Sequence, residues 1–143
     1  MPIAYITRSE RSITAHRLHS PELTEEQNKL IYGKCNHPHF HGHNYKVEIT
    51  MKGEIDPLTG MVMNLVDLKE CIQLAVMDHL DHRNLDLDVP FFQSRASTTE
   101  NLAVYVWSNF QYYYQQKFSS HSAQLYKVKI YETEKNMVEY YGA

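Results

Sequence analysis

His41-Gly42-His43-Asn44-Tyr45-Lys46-Val47-Glu48-Ile49-Thr50-Met51-Lys52 is the stretch whose reading decides the fold. From Tyr45 to Lys52 the side chains alternate. Tyr45, Val47, Ile49 and Met51 fall on one face, and Lys46, Glu48, Thr50 and Lys52 on the other. A period of two with one apolar face predicts a half-buried antiparallel strand. His41 and His43 precede it with the same spacing. Successive strand side chains point to opposite faces, so both imidazoles leave the same face, a spacing that suits two ligands on one ion. Just upstream lies Cys35-Asn36-His37-Pro38-His39-Phe40, so that nine residues hold one thiol and four histidines.

Outward from this strand, the chain shows no repeat and no linker rich in Gly, Pro or Ser, and we expect one domain over 1–143. Residues 5 to 16 predict a first strand whose imperfect alternation suggests a bulge. Thr24-Glu25-Glu26-Gln27 is a capping-box pattern opening a short helix that ends at Gly33. Asp56-Pro57-Leu58-Thr59-Gly60 is a turn. Asn64 caps a helix with an apolar stripe of Leu65, Leu68, Ile72, Val76 and Leu80. Ser97-Thr98-Thr99-Glu100 is a second capping box, opening a helix that carries Leu102, Val106, Phe110 and Tyr113. Tyr126 to Glu132 predicts a third strand, and Met137 to Tyr141 a fourth. The expectation is an α+β domain, strand-strand-helix-helix-strand-strand, with a four-stranded antiparallel sheet and both helices on one face.

Composition excludes several classes. The chain has 143 residues, 43% apolar and 12% aromatic, enough for a real core. A net charge of −3 without a basic block disfavours nucleic acid as a partner. No run of roughly 18 apolar residues predicts a membrane span. The first residues lack the charged and apolar regions of a secretory signal. Two cysteines, Cys35 and Cys71, make no disulfide framework, so a reduced cytoplasmic protein is expected. Nine histidines is the unusual count.

His41 and His43 need a third protein ligand to form a catalytic zinc site with one open position. His16, near the end of the first strand, is the candidate. A lone His-x-His is as readily a core or surface pair; the nearby thiol and the third histidine favour a metal. Pro38 and Phe40 suggest that His37 and His39 lie on a loop outside the ligand shell. Cys35, on a polar loop beside Lys34, is a candidate nucleophile or proton acceptor, and equally a small buried hydrophobe. Asp81-His82 ends the first long helix. The pair is a candidate acid–base pair, but on the residues alone it reads first as a helix terminus with a favourable cation. Glu132 has the parity of Tyr126, Val128 and Ile130. Buried, it would need donors such as the paired N–H groups of an aminopyrimidinone ring; at a frayed strand end it would be solvated.

Taken together, these residues resemble the 6-pyruvoyl-tetrahydropterin synthase family over nearly the whole chain. The stretches that carry the resemblance are Ala15-His16-Arg17-Leu18-His19-Ser20, Gly33-Lys34-Cys35-Asn36, His41-Gly42-His43-Asn44-Tyr45, Gly53-Glu54-Ile55-Asp56-Pro57, Gly60-Met61-Val62-Met63-Asn64-Leu65, Leu80-Asp81-His82-Arg83-Asn84-Leu85-Asp86, Ser97-Thr98-Thr99-Glu100-Asn101 and Leu125-Tyr126-Lys127-Val128. The resemblance implies a T-fold subunit, sheets closing into a barrel in the trimer, and a homohexamer of two trimers. It implies a lyase that converts 7,8-dihydroneopterin triphosphate to 6-pyruvoyl-tetrahydropterin in tetrahydrobiopterin biosynthesis, with Mg2+ a candidate companion of the triphosphate. It implies His16, His41 and His43 as zinc ligands and Cys35 as proton acceptor. Asp81 and His82 would be its relay from a neighbouring subunit, Glu132 the pterin anchor, and Thr98 and Thr99 pocket residues.

Two departures stand out. His37-Pro38-His39-Phe40 replaces the family's usual Asn-Pro-Asn-Gly, and Ser12-Ile13 replaces Phe-Ser. The alternatives are the related 6-carboxy-tetrahydropterin synthase and a non-enzymatic zinc or pterin binder.

Overall fold

In the computed structural model, which describes residues 2–118 and 121–143, the chain runs β1 (Ile3–His16), α1 (Glu25–Tyr32), β2 (His41–Glu54), α2 (Leu65–Ile72), α3 (Asp78–Leu80), β3 (Arg83–Asn84), α4 (Leu85–Asp88), α5 (Thr99–Lys117), β4 (Gln124–Tyr131) and β5 (Met137–Tyr140). The sheet has five strands in the order β3-β1-β2-β4-β5, not the four expected. The extra one, β3, lies between the two long helices in sequence and pairs parallel with β1 at Thr14 and Ala15. Two residues are too short for any periodicity to mark. The remaining pairs are antiparallel.

β1 and β2 pair without a break from Ile3 opposite Glu54 to His16 opposite His41. Both are longer than apolar alternation predicts, because the inward residues at one end are Ser12, Thr14, His16, His41 and His43, which carry no hydrophobic signal. The expected bulge in the first strand is absent; the irregularity is in β4. Thr50 pairs with Lys127 and Met51 with Leu125, leaving Tyr126 over. Leu125, Val128 and Ile130 therefore point inward, while Tyr126 is 37% exposed. Tyr126 does not share the face of Val128, Ile130 and Glu132.

The helices cover one face of the sheet. Tyr45, Val47, Ile49 and Met51 enter a single buried cluster with Leu68, Ile72, Leu102, Val106 and Phe110. Asn64 caps α2 through its side chain, as expected. Leu65, the first residue past the cap, is 53% exposed and leaves the predicted stripe. Leu68, Ile72, Val76 and Leu80 are buried. Steps of four drift by about 40° on a 3.6-residue helix. The wider π-type turn Gln73–Met77, between α2 and α3, takes up that drift and keeps Val76 and Leu80 on the sheet. Thr24 and Gln27 form the predicted capping box. At α5 the cap is Thr98, whose hydroxyl accepts from the Asn101 amide, not Ser97. Tyr114 is buried on this helix and Tyr113 only partly. No helix among the described residues is long and apolar enough to cross a membrane.

Candidate active site

The uninterrupted β1–β2 register builds the site. His16 stands opposite His41, and Thr14 opposite His43, all on the helix-covered side. Ring centroids are 4.4 Å apart for His16 and His41, 5.0 Å for His16 and His43, and 4.8 Å for His41 and His43. One nitrogen from each lies within 4.8 Å of the others, so the trio can hold a metal ion.

The nitrogens available fit that use. His16 Nδ1 lies 2.8 Å from the Ser97 carbonyl oxygen. An N–H there fixes the tautomer that leaves Nε2 with its lone pair free, as a carbonyl behind a metal-binding histidine does. His16 Nε2, both ring nitrogens of His41, and His43 Nε2 are buried without a hydrogen-bond partner. Orphaned buried polar atoms are costly unless something satisfies them. His43 Nε2 does approach Glu132 Oε1 at 3.2 Å, but without the alignment of a hydrogen bond, so we count that lone pair as available. Burial holds the His16 imidazole down at about 4, opposed by its bond to the Ser97 carbonyl. Burial also lowers His41, with His43 adding to the effect and Glu132 and Asp86 opposing it. Both rings are therefore neutral near pH 7, the state a metal requires.

Glu132 lies just past the end of β4, where its amide donates to the Asn136 carbonyl. Its other carboxylate oxygen accepts from the Thr99 hydroxyl at 3.2 Å. Thr99 is buried and thus joins the site, whereas the Thr98 hydroxyl is engaged in the helix cap. Tyr45 is buried beside His16, with its hydroxyl 3.4 Å from Nδ1. Burial, reinforced by Glu132, raises the Tyr45 hydroxyl well above its ordinary range and keeps it protonated.

Cys35 lies half-buried in a single 3₁₀ turn, Gly33–Asn36. Its carbonyl accepts from the Leu18 amide at 2.8 Å. Cys71 is buried inside α2, and burial pushes its thiol up to about 12. Asp81 and His82 form a pair at 3.0 Å, and Asp81 also accepts from the Ile13 amide at 2.9 Å. The His82 ring is 74% exposed, and among the described residues the pair makes no hydrogen bond or ion pair with the three histidines. His37 and His39 sit on the outer loop, where His37 Nδ1 accepts from the His39 amide.

Three features carry no signal as residue types. The Ser97 carbonyl orients His16. Asp86 accepts from the Arg17 amide at 2.6 Å and acts on the charge of His16 and His41. Phe40 adopts φ 69°, a left-handed conformation that favours glycine. It lines a cavity of about 280 Å³ with Arg17, His19, Asp86 and Phe92.

Fold and site together define a class: an α+β protein whose two longest strands bring together three histidines able to hold a metal ion. Sequence comparison narrows it. A family profile for 6-pyruvoyl tetrahydropterin synthase matches residues 5–143. The chain is 55% identical over 141 residues to the 6-pyruvoyl tetrahydrobiopterin synthase of Poecilia reticulata, covering 98% of this chain and 91% of that protein. It is 52% identical over 139 residues to the Homo sapiens protein of the same name, covering 97% and 92%. The solved structure of Caenorhabditis elegans 6-pyruvoyl tetrahydropterin synthase superposes with a TM-score of 0.92 at 43% identity, covering 100% of this chain and 98% of that one. The chain belongs to the 6-pyruvoyl tetrahydropterin synthase family.

Proposed function

We propose that this single-domain chain (1–143) is a zinc-dependent lyase of tetrahydrobiopterin biosynthesis. It takes 7,8-dihydroneopterin triphosphate, its phosphates accompanied by Mg2+, to 6-pyruvoyl-tetrahydropterin with elimination of triphosphate. The observation that carries this is the convergence of three histidines whose free nitrogens have no other hydrogen-bond partner, in a chain of this family. His16, His41 and His43 hold the metal. When bound, zinc supplies a Lewis acid that polarises the side-chain oxygens of the substrate and acidifies the neighbouring C–H. Cys35 accepts the proton. Glu132, backed by Thr99, accepts paired N–H donors from the pterin ring. Thr98, as the cap of α5, holds that part of the pocket in place.

Asp81 and His82 act as the relay toward a neighbouring subunit. Supporting this, the His82 ring is exposed, and neither residue hydrogen-bonds the three histidines among the described residues. The sheet is also open at both edges, at β5 and along the part of β1 that β3 leaves unpaired. Open edges are covered when sheets close into a barrel around a symmetry axis, so the assembly we propose is a cytoplasmic homohexamer of two trimers. The test is turnover: zinc-loaded protein with 7,8-dihydroneopterin triphosphate, products separated chromatographically. 6-Pyruvoyl-tetrahydropterin and one triphosphate per turnover are expected. A 6-carboxy product, or binding without turnover, would overturn the assignment.

A further inference from the structure

The turn that carries Cys35 belongs to no sheet. The chain enters it through Gly33 at φ 55° and leaves it by an exposed loop that ends at Phe40. What ties the turn to the metal strand is a set of hydrogen bonds centred on Asn36, which is 3% exposed. The Asn36 Nδ2 donates to the Leu18 carbonyl at 2.6 Å and meets His19 Nδ1 at 3.1 Å. The Asn36 main-chain carbonyl accepts from Arg17 Nε at 2.8 Å, and its side-chain oxygen from Arg17 Nη2 at 3.4 Å. The Leu18 amide donates to the Cys35 carbonyl itself.

The other side of this clamp is equally fixed. Arg17 follows His16 directly in the chain. Its amide donates to Asp86, and its carbonyl accepts from the Ser97 hydroxyl at 3.4 Å. The Ser97 carbonyl is the group that orients the His16 ring. A continuous run of hydrogen bonds thus joins the ring of His16 to the peptide of Cys35. A buried amide that spends its donors and acceptor on one neighbouring segment sets a geometry, because each bond has its own direction.

We propose that Asn36, with the planar fork of Arg17, is the positioning residue that fixes the Cys35 thiol relative to the metal histidines. The inference rests on Cys35 being the proton acceptor proposed above. Asn36 touches no substrate; it acts through Cys35. A displacement of the order of 1 Å at a reacting group costs about a hundredfold in rate, so the clamp controls kcat rather than binding.

The test uses full-length zinc-loaded protein with Asn36→Ala, Arg17→Lys and Cys35→Ala. Steady-state constants, metal stoichiometry and the rate of iodoacetamide alkylation across pH are measured for each. Alkylation reads Cys35 alone in native protein, since Cys71 is buried. In Asn36→Ala, kcat falls by about a hundredfold. KM and zinc content stay near wild type, and alkylation speeds up several-fold as the thiol is freed. Arg17→Lys keeps the charge but loses the fork, and moves both readings the same way by less. Wild-type kcat and alkylation in Asn36→Ala overturn the proposal. If that variant does not fold, the same result in Arg17→Lys overturns it. Wild-type turnover in Cys35→Ala would instead remove the parent reading, and the alkylation rates alone would then decide whether Asn36 holds the turn.

Discussion

In metal-free protein, His16 alone gives the fold a marked pH dependence. The folded imidazole is held at about 4 by burial, against an ordinary 6.5. Between these values the unfolded chain binds a proton that the folded chain refuses. Stability therefore rises with pH across this window, is complete above 6.5, and is lost as pH falls toward 4. From pH 7 to pH 5 the unfolded state gains about 2 kcal/mol from this one residue. The ring is 1% exposed, so solvent screening takes little from that figure. His41, also lowered by burial, adds to the loss in the same direction. The perturbation is His16→Gln in chelator-treated protein. The assay is urea unfolding at pH 7 and pH 5 for both proteins, reading the difference between the two pH values. Wild type should lose about 2 kcal/mol more than the variant over that interval. Equal losses would mean that His16 is not held neutral by its surroundings.

Thr98→Ala should cost about 1 kcal/mol through loss of the α5 cap, while Ser97→Ala should cost clearly less, since its backbone carbonyl still orients His16; thermal denaturation ranks the two. Glu132→Gln should weaken binding of a pterin product by about 2 kcal/mol with zinc content unchanged, because a donor would then face a donor; wild-type affinity in a calorimetric titration would take Glu132 out of the pocket. Phe40→Gly should be at least as stable as Phe40→Ala, reversing the usual order by which glycine is about 0.5–1 kcal/mol worse, because the left-handed backbone penalises any Cβ; the ordinary order would refute strain at this position.

Where the residues had a period, the sequence was readable. The inward set Tyr45, Val47, Ile49 and Met51 and the candidate metal pair His41 and His43 follow from one rule of alternation. The errors have local causes. An extra residue at Tyr126 broke a parity that Glu132 nonetheless kept, because it lies beyond the bulge together with Val128 and Ile130. Leu65 obeyed the helical period but sat a turn too early to reach the sheet. Two adjacent hydroxyl residues, Ser97 and Thr98, compete for one cap, and only the tertiary demand of Arg17 on Ser97 decides between them. β3 arises from a backbone pairing that no side-chain pattern announces. The Asn36 clamp was hidden for a related reason: its main bonds pair a side chain of one segment with a peptide carbonyl of the other, which no periodicity marks.

The register of β1 and β2 also bears on how this chain tolerates change. Both strands bring the site to their last rungs, with His16 facing His41. Face assignment in a strand is binary. Loss or gain of one residue inside β2, with the far end of the ladder kept in place, would turn His41 and His43 toward the face where Lys52 overlies Tyr5 and Tyr126. A change of two residues would preserve the face and shift the rung. In this ladder, then, length variation is admissible only in even steps, whereas the segment between the strands, carrying α1, is free of that arithmetic until it reaches the turn at Cys35.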